Sequence, residues 1–320
     1  MALFDRTPLV RAEAALYGPR RAAALLSVAS NAALTVVKLV VGLVTGSVAV
    51  LSEAANSAGD LVASGIAFAG VRAAARPADA DHPYGHEKSE NLAAAVEGIL
   101  VLAAGLAVAV EAIRRLASGA PAIDHIGLAI GVMAVSAVVN LAVSLRLRRV
   151  ARRTGSPAIE GDAVHLGADV WTSAGAGVGL VLVAITGWEP LDAIVALAVA
   201  GYVAAVGARL VWRAAHVLLD GSLPEGDMRV IEGVLAGFEG EGVSFHAVRG
   251  RRAGSKRLLD LHMVVPPETT VRRGHAMSGR VKAALVAALP GTEVLIHLED
   301  HAPVTRPGRV PAGRGETIAP

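Results

Sequence analysis

Along most of the first 217 residues the apolar positions do not alternate with polar ones but run together, in blocks long enough to cross a lipid bilayer. About 20 consecutive apolar residues suffice, and such blocks fall at roughly 22–45, 48–72, 91–116, 123–149, 159–186 and 191–217. This pattern predicts six transmembrane helices. After Leu219 it shortens and changes period. LPEGDMRVIEGVLAGF reads as a helix, 242–250 and 256–265 as strands, 270–288 as a second helix and TEVLIHLE as a last strand. The order α-β-β-α-β predicts a small α+β domain. The expected organisation is an N-terminal segment 1–20, a six-helix membrane domain 21–219, a second domain 220–302 and a disordered tail 303–320 rich in Pro, Gly, Arg and Thr. No internal repeat stands out.

Composition agrees with the pattern. Of 320 residues 53% are hydrophobic and only 18% charged, and the mean hydropathy is +0.53, too apolar for an ordinary soluble protein. A net charge of +2 gives no argument for nucleic acid. Cysteine is absent, so any metal must be held by imidazole, carboxylate or amide oxygen. The first residues lack the order of a signal peptide, so the first apolar block is expected to remain as a membrane helix.

Basic residues fix an expected orientation. Arg6, Arg11, Arg20 and Arg21 precede the first block, and Arg72, Arg76, Lys88, Arg146, Arg148, Arg149, Arg152 and Arg153 gather around 72–90 and 146–158. The positive-inside rule then places both termini in the cytoplasm, with Arg114 and Arg115 as the exception.

Polar residues inside the apolar blocks carry the chemistry. His165 and Asp169 stand four apart in the fifth block, hence on one helix face, and Asn56 and Asp60 repeat the spacing in the second. A carboxylate at the middle of a membrane helix costs roughly 2.5–3.5 kcal/mol. A divalent cation held by Asn56, Asp60, His165 and Asp169 would offset that cost for both acids and complete the four ligands zinc and similar ions accept. Glu53 shares the stripe of Asn56 and Asp60 and is expected to line the entry to the site. The blander reading, interhelical hydrogen bonding, suits Asn56 better than the three ionisable groups. Lys38, within VVKLVVG, either pairs with a membrane acid or snorkels to an interface.

Two further clusters lie outside the apolar blocks. In DADHPYGHEKSEN, Pro83 and Gly85 favour a turn that would bring Asp79, His82 and His86 together as a second metal site; a solvated loop is the equal alternative. HEKSE lacks the second histidine of a zinc-protease helix. In the C-terminal domain, alternation puts Leu259, Leu261, Met263 and Val265 on one strand face and His262 on the other, and likewise separates Val294, Ile296 and Leu298 from His297 and Glu299. With His246 in the first strand, and His275 or His301 as extras, these point to a third metal site.

GSVAVLSEAANSAGD, HPYGHEKSENLAA, HLGADVWTS, WEPLDAIVAL and VLIHLED, in that order, make the chain resemble the cation diffusion facilitators, proton-coupled exporters of zinc and related divalent ions, over residues 15–301. The resemblance implies a homodimer with a ferredoxin-like, metallochaperone-like cytoplasmic domain. It assigns Asn56, Asp60, His165 and Asp169 to the transport site and Asp79, His82 and His86 to a site at the membrane junction. His246, His262, His275, His297 and Glu299 fall to a binuclear cytoplasmic site, and Lys88 and Asp220 to a charge interlock of the dimer. Zinc-selective members usually carry His or Asp where this chain has Asn56; manganese-type members carry Asn there but Asp in place of His165. Zn2+ is the first expectation, with Mn2+, Fe2+, Co2+ or Cd2+ as alternatives. His165, the side-chain type whose unperturbed pKa lies nearest physiological pH, is the expected proton carrier, exchanging protons for metal by alternating access. No enzyme chemistry and no organic cofactor are expected: GAGVGL at 175–180 lacks the order of a nucleotide loop. A non-transporting membrane metal sensor is the alternative of another class. A multi-pass protein of a bacterial inner membrane is the expected setting.

Overall fold

A computed structural model of the chain describes residues 7–118, 126–188 and 190–300. It contains six long helices, α1 (Thr7–Thr45), α2 (Val48–Ala74), α3 (Lys88–Ser118), α4 (Ile126–Thr154), α5 (Pro157–Thr186) and α6 (Pro190–Leu218). Then come α7 (Glu225–Ala236), a single 3-10 turn, β1 (Ser244–Ala253), β2 (Lys256–Val264), α8 (Val271–Ala288) and β3 (Thr292–Glu299). The chain separates into two compact units. One comprises the six helices through Ser222 together with residues Arg251–Arg257, the turn of the β1–β2 hairpin; the other holds the rest of the C-terminal part. The tail 303–320 and His301 lie outside the described residues.

Among the described residues, five of the six long helices are apolar and long enough to cross a membrane. The exception is α2, the helix that carries Glu53, Asn56 and Asp60. Local chemistry sets the helix ends. Ser47 accepts from the Val50 amide and Ser156 from that of Ile159, each capping an N-terminus, and Pro157 sits in the first turn of α5, where its missing N–H costs nothing. Two helices exceed their expected bounds. α1 begins at Thr7 rather than at residue 22, and α4 continues to Thr154, so Arg146 to Arg153 belong to a helix and not to a connection. Cations in a last helical turn face the negative end of the helix dipole. The real connection is Gly155 and Ser156, where Gly155 takes φ +64. Arg115, the exception to the charge rule, bonds Glu111 at 3.1 Å and Asp192 at 3.4 Å.

Small residues let helices touch. A Cβ on Gly207 of α6 would lie 2.6 Å from the Leu102 amide nitrogen, and one on Gly98 of α3 would lie 2.8 Å from that of Val211. The α3–α6 backbones are therefore in direct contact, as small-residue membrane interfaces allow. At the end of the bundle where α6 terminates, Arg20 and Glu90 form a buried ion pair at 3.1 Å, 2% and 1% exposed. The guanidinium also donates to the Thr154 carbonyl at 2.6 Å and to Ser255 Oγ at 2.8 Å, and Ser156 Oγ donates to Glu90 at 2.5 Å. The Gly254 amide donates to Asn91 at 2.8 Å, and Lys256 pairs with Glu87 at 2.5 Å. The hairpin turn is thus tied to α1, α3 and the α4–α5 junction.

In the second unit the sheet order is β1-β2-β3. The Val265 amide donates to the Glu299 carbonyl, so the C-terminal ends of β2 and β3 lie together, as a β-α-β crossover requires. Leu259, Leu261, Met263 and Val294 form the buried face, covered by Ile231 and Leu235 of α7 and Val281 and Leu285 of α8. Strand β1 breaks strict alternation. Phe245 and Val248, three apart, both pack on this core, and the extra residue is accommodated at Ala247, whose φ is +51. A left-handed non-glycine costs about 1–2 kcal/mol, and it adjoins His246.

Candidate functional site

Three groups of metal-type ligands assemble among the described residues: Asp60, His165 and Asp169 in the bundle; Asp79, His82 and His86 in the α2–α3 loop; His246, His262 and Glu299 on the sheet. In each, one ligand atom per residue lies within 4.8 Å of the others, close enough for a single ion to gather them after small side-chain adjustments.

The first group lies where α2 and α5 meet. His165 Nε2 is 3.4 Å from Asp60 Oδ1, both residues 8% exposed. Neither His165 Nε2 nor Asp169 Oδ2 has a hydrogen-bond partner, although both atoms are buried. Buried polar atoms are nearly always satisfied, so both of these are free to take a ligand. A cavity of about 160 Å³ opens onto the group, lined by Asn56, Asp60 and Asp169 and by Lys38, Glu53 and Asn140 among others. Most of its lining residues lie on the halves of α1, α2, α4 and α5 nearest the α1–α2 turn, with Asp169 near the middle of α5. Asn56 is on its wall. Glu53 stands in the cavity as its stripe on α2 implied, and Lys38 Nζ pairs with it at 3.2 Å while donating to Ser57 at 2.8 Å.

The loop group owes its shape to a turn. The His82 amide donates to Asp79 Oδ1 at 2.7 Å, and Gly85 adopts φ +91, which a side chain would strain. His82 Nδ1 then lies 3.5 Å and His86 Nε2 3.3 Å from the two oxygens of Asp79. The His82 amide bond, more than any other contact, holds the Asp79 carboxyl below its ordinary range, leaving it ionised as a ligand must be.

On the open face of the sheet, Glu299 bridges two histidines, His246 Nε2 at 2.8 Å and His262 Nδ1 at 2.7 Å. His297 Nε2 is 3.7 Å from the same carboxylate, and the His262 ring centroid is 4.9 Å from those of His246 and His297. The hydrogen bond from His246 lowers the Glu299 carboxyl below its usual value. His275 is not brought to this group; it is exposed on α8, so one protomer supplies four of the five residues expected there. Lys88 and Asp220 do meet, at 2.7 Å, and Arg251 joins them at 2.9 Å from the same oxygen.

Sequence reasoning missed two buried acids beside the bundle site. Glu97 is 0% exposed with both carboxylate oxygens unpartnered, its Oε2 3.9 Å from His165 Nδ1. Asp162, also 0% exposed, accepts from Ser27 Oγ at 3.0 Å. The signal was available, since each interrupts an apolar block, but neither shares the four-residue spacing that singled out the other acids.

Residues 24–219 match the cation efflux transmembrane domain, and residues 223–301 the cytoplasmic domain of cation efflux proteins. The chain belongs to the cation diffusion facilitator family. It is 36% identical over 276 residues to the uncharacterized transporter sll1263 of Synechocystis, covering 86% of this chain and 89% of that one. To the cation-efflux pump FieF of Salmonella paratyphi A it is 29% identical over 291 residues, 90% of this chain and 95% of the pump. The FieF of Salmonella agona gives the same figures. As a cation diffusion facilitator the chain is a multi-pass membrane protein of a transporter family, and the first match runs from within α1 to the end of α6. Metal cation efflux is the activity the family carries.

Proposed function

We propose that this chain exports a divalent cation, Zn2+ before others, in exchange for protons, by alternating access around Asn56, Asp60, His165 and Asp169. What carries the reading is the group Asp60, His165 and Asp169 between two helices, the first two buried, with the unpartnered Asp169 Oδ2 on a residue that lines a polar cavity. Two carboxylates in lipid without a counter-charge are costly; a transported cation supplies the charge in one half of the cycle and protons in the other. His165 is the proton carrier, its ring facing acids on both edges. On this reading both termini are cytoplasmic, in a bacterial inner membrane.

The domains take separate roles on this reading. Residues 21–219 transport, and 220–302 sense metal through His246, His262, His297 and Glu299, with His275 offered to the site by a second copy in a homodimer. Asp79, His82 and His86 hold an ion at the junction, and Lys88 with Asp220 keeps the membrane halves in register. Imidazole favours zinc, whereas the Asn56 amide beside two carboxylates also suits Mn2+, Fe2+, Co2+ or Cd2+.

The test is flux in proteoliposomes, with Zn2+, Mn2+, Fe2+, Co2+ and Cd2+ in turn and an internal pH dye. Zn2+ uptake accompanied by proton movement is expected, with Asp60→Asn and Asp169→Asn inactive and Asn56→His shifting preference toward Zn2+. Zn2+ flux that persists in both Asp variants would remove the site from the mechanism, and proton movement undiminished in His165→Ala would remove that residue from the proton path.

A further inference from the structure

The least explained side chain in the bundle is Glu97. It lies on α3 with no exposure and no hydrogen bond to either oxygen, in a setting where an uncompensated carboxylate costs several kcal/mol. Its stem is accommodated by Gly161 of α5: a Cβ there would come within 3.1 Å of Glu97 Cβ. Gly161 is four residues before His165 and so sits one turn below it on the same face. The carboxylate consequently lies behind the histidine. Its Oε2 is 3.9 Å from His165 Nδ1, while the other ring nitrogen, Nε2, faces Asp60 at 3.4 Å.

We propose that Glu97 is a positioning residue for the transport site: it accepts the Nδ1–H of His165, which fixes the tautomer that leaves Nε2 free to bind the cation and sets the ring's direction. The proposal rests on His165 being a transport ligand. Histidines that bind metal almost always donate their second ring N–H to a carboxylate, carbonyl or water, and losing that partner costs 10- to 100-fold in affinity. Glu97 Oε2, at 3.9 Å, stands just beyond hydrogen-bond distance of His165 Nδ1. A closure of about 1 Å brings the present separation to the length of a charge-assisted hydrogen bond, and a cation pulling on Nε2 acts in that direction. A neutral apolar residue at 97 would pack as well against Gly161; the acid is needed for the ring behind it.

The experiment is Zn2+ flux of the full chain in proteoliposomes, giving KM and kcat separately for Glu97→Gln, Glu97→Leu and, as control, Asp169→Asn. Glutamine keeps an acceptor oxygen without the charge, so a KM rise of about 10-fold is expected. Leucine removes the acceptor, and a rise of about 100-fold is expected with kcat changed far less. In 15N-histidine-labelled protein, the His165 resonances, assigned by their loss in His165→Ala, report the Nδ1–H tautomer in wild type and Glu97→Gln and a mixture in Glu97→Leu. A wild-type KM in Glu97→Leu overturns the proposal. So does a fall in kcat at unchanged KM, which would make Glu97 part of the conformational step, and so does an unchanged tautomer in Glu97→Leu. Should Leu unfold the protein, the Gln variant decides alone: a KM within twofold of wild type overturns the proposal. Wild-type flux in Asp169→Asn would instead overturn the transport-site reading, so the two failures are distinguishable.

Discussion

Removing Glu90 should be among the most damaging single changes in the helical unit, and the structure says by how much. Glu90 and Arg20 pair at 3.1 Å with almost no exposure. Glu90→Ala leaves a guanidinium buried without its counter-charge, a situation that costs about 3–5 kcal/mol. Arg20 keeps two acceptors, the Thr154 carbonyl and Ser255 Oγ, which places the loss near the lower end, while Ser156 Oγ forfeits its own partner and adds to it. For a unit of this size each kcal/mol moves Tm by about 2–4 °C, so a fall of about 6–20 °C is expected. The assay is thermal unfolding of the purified full chain in detergent, followed by tryptophan fluorescence, for Glu90→Ala, Arg20→Met and the double variant that combines them. Because replacing both charges by apolar groups restores a satisfied interior, the double variant should lose less than Glu90→Ala alone. That outcome gives a coupling energy of about 2 kcal/mol or more. A Tm within 2 °C of wild type for Glu90→Ala, or simple additivity in the double variant, would refute the claim that this pair holds the helices together.

Gly207→Val should separate α3 from α6, since even a Cβ there would stand 2.6 Å from the Leu102 nitrogen; a loss of about 1–3 kcal/mol, read in the same unfolding assay, is expected. Glu299→Ala deletes hydrogen bonds to both His246 and His262. Atomic absorption on the purified chain should find less Zn2+ per protomer, with transport-site loading retained. Asp220 is held below the ordinary carboxylate range chiefly by its bond to Lys88, with Arg251 adding to it. A depressed folded value means the tether is present above the unfolded value near 3.9 and is lost only as pH falls through the lower folded one. Asp220→Asn should accordingly behave at pH 7 as wild type does only in strong acid, and added salt should narrow the difference between them.

Much of the architecture was legible because each unit writes its period plainly. Apolar blocks the length of a bilayer gave all six long helices, and alternation placed Leu259, Leu261 and Met263 on the buried face of β2. What escaped was where local continuity outruns composition. Arg146 to Arg153 looked like a loop because they are charged, yet a helix leaving the apolar region has no reason to stop while its side chains reach polar surroundings. The slip at Ala247 left no mark, since alanine is not a residue that announces a left-handed turn.

The same distinction separates the legible part of the site from the hidden part. Asp60, His165 and Asp169 were found by helical spacing within one element, a relation the sequence states directly. Glu97 reaches His165, and Arg20 reaches Glu90, only through tertiary packing, and a single sequence records neither distance. Yet an acid in an apolar block is itself a statement of energy: it must be compensated by something, and Glu97, Asp162, Glu90, Asp60 and Asp169 cannot all be compensated by the same ion. Two of the five have found protein partners, Arg20 for Glu90 and Ser27 for Asp162. On the proposed reading Asp60 and Asp169 are left to the cation and to His165. Glu97 then has, among the described residues, only the back of that histidine, so on the same reading the charge around the site extends to α3, one layer deeper than the proposed ligands.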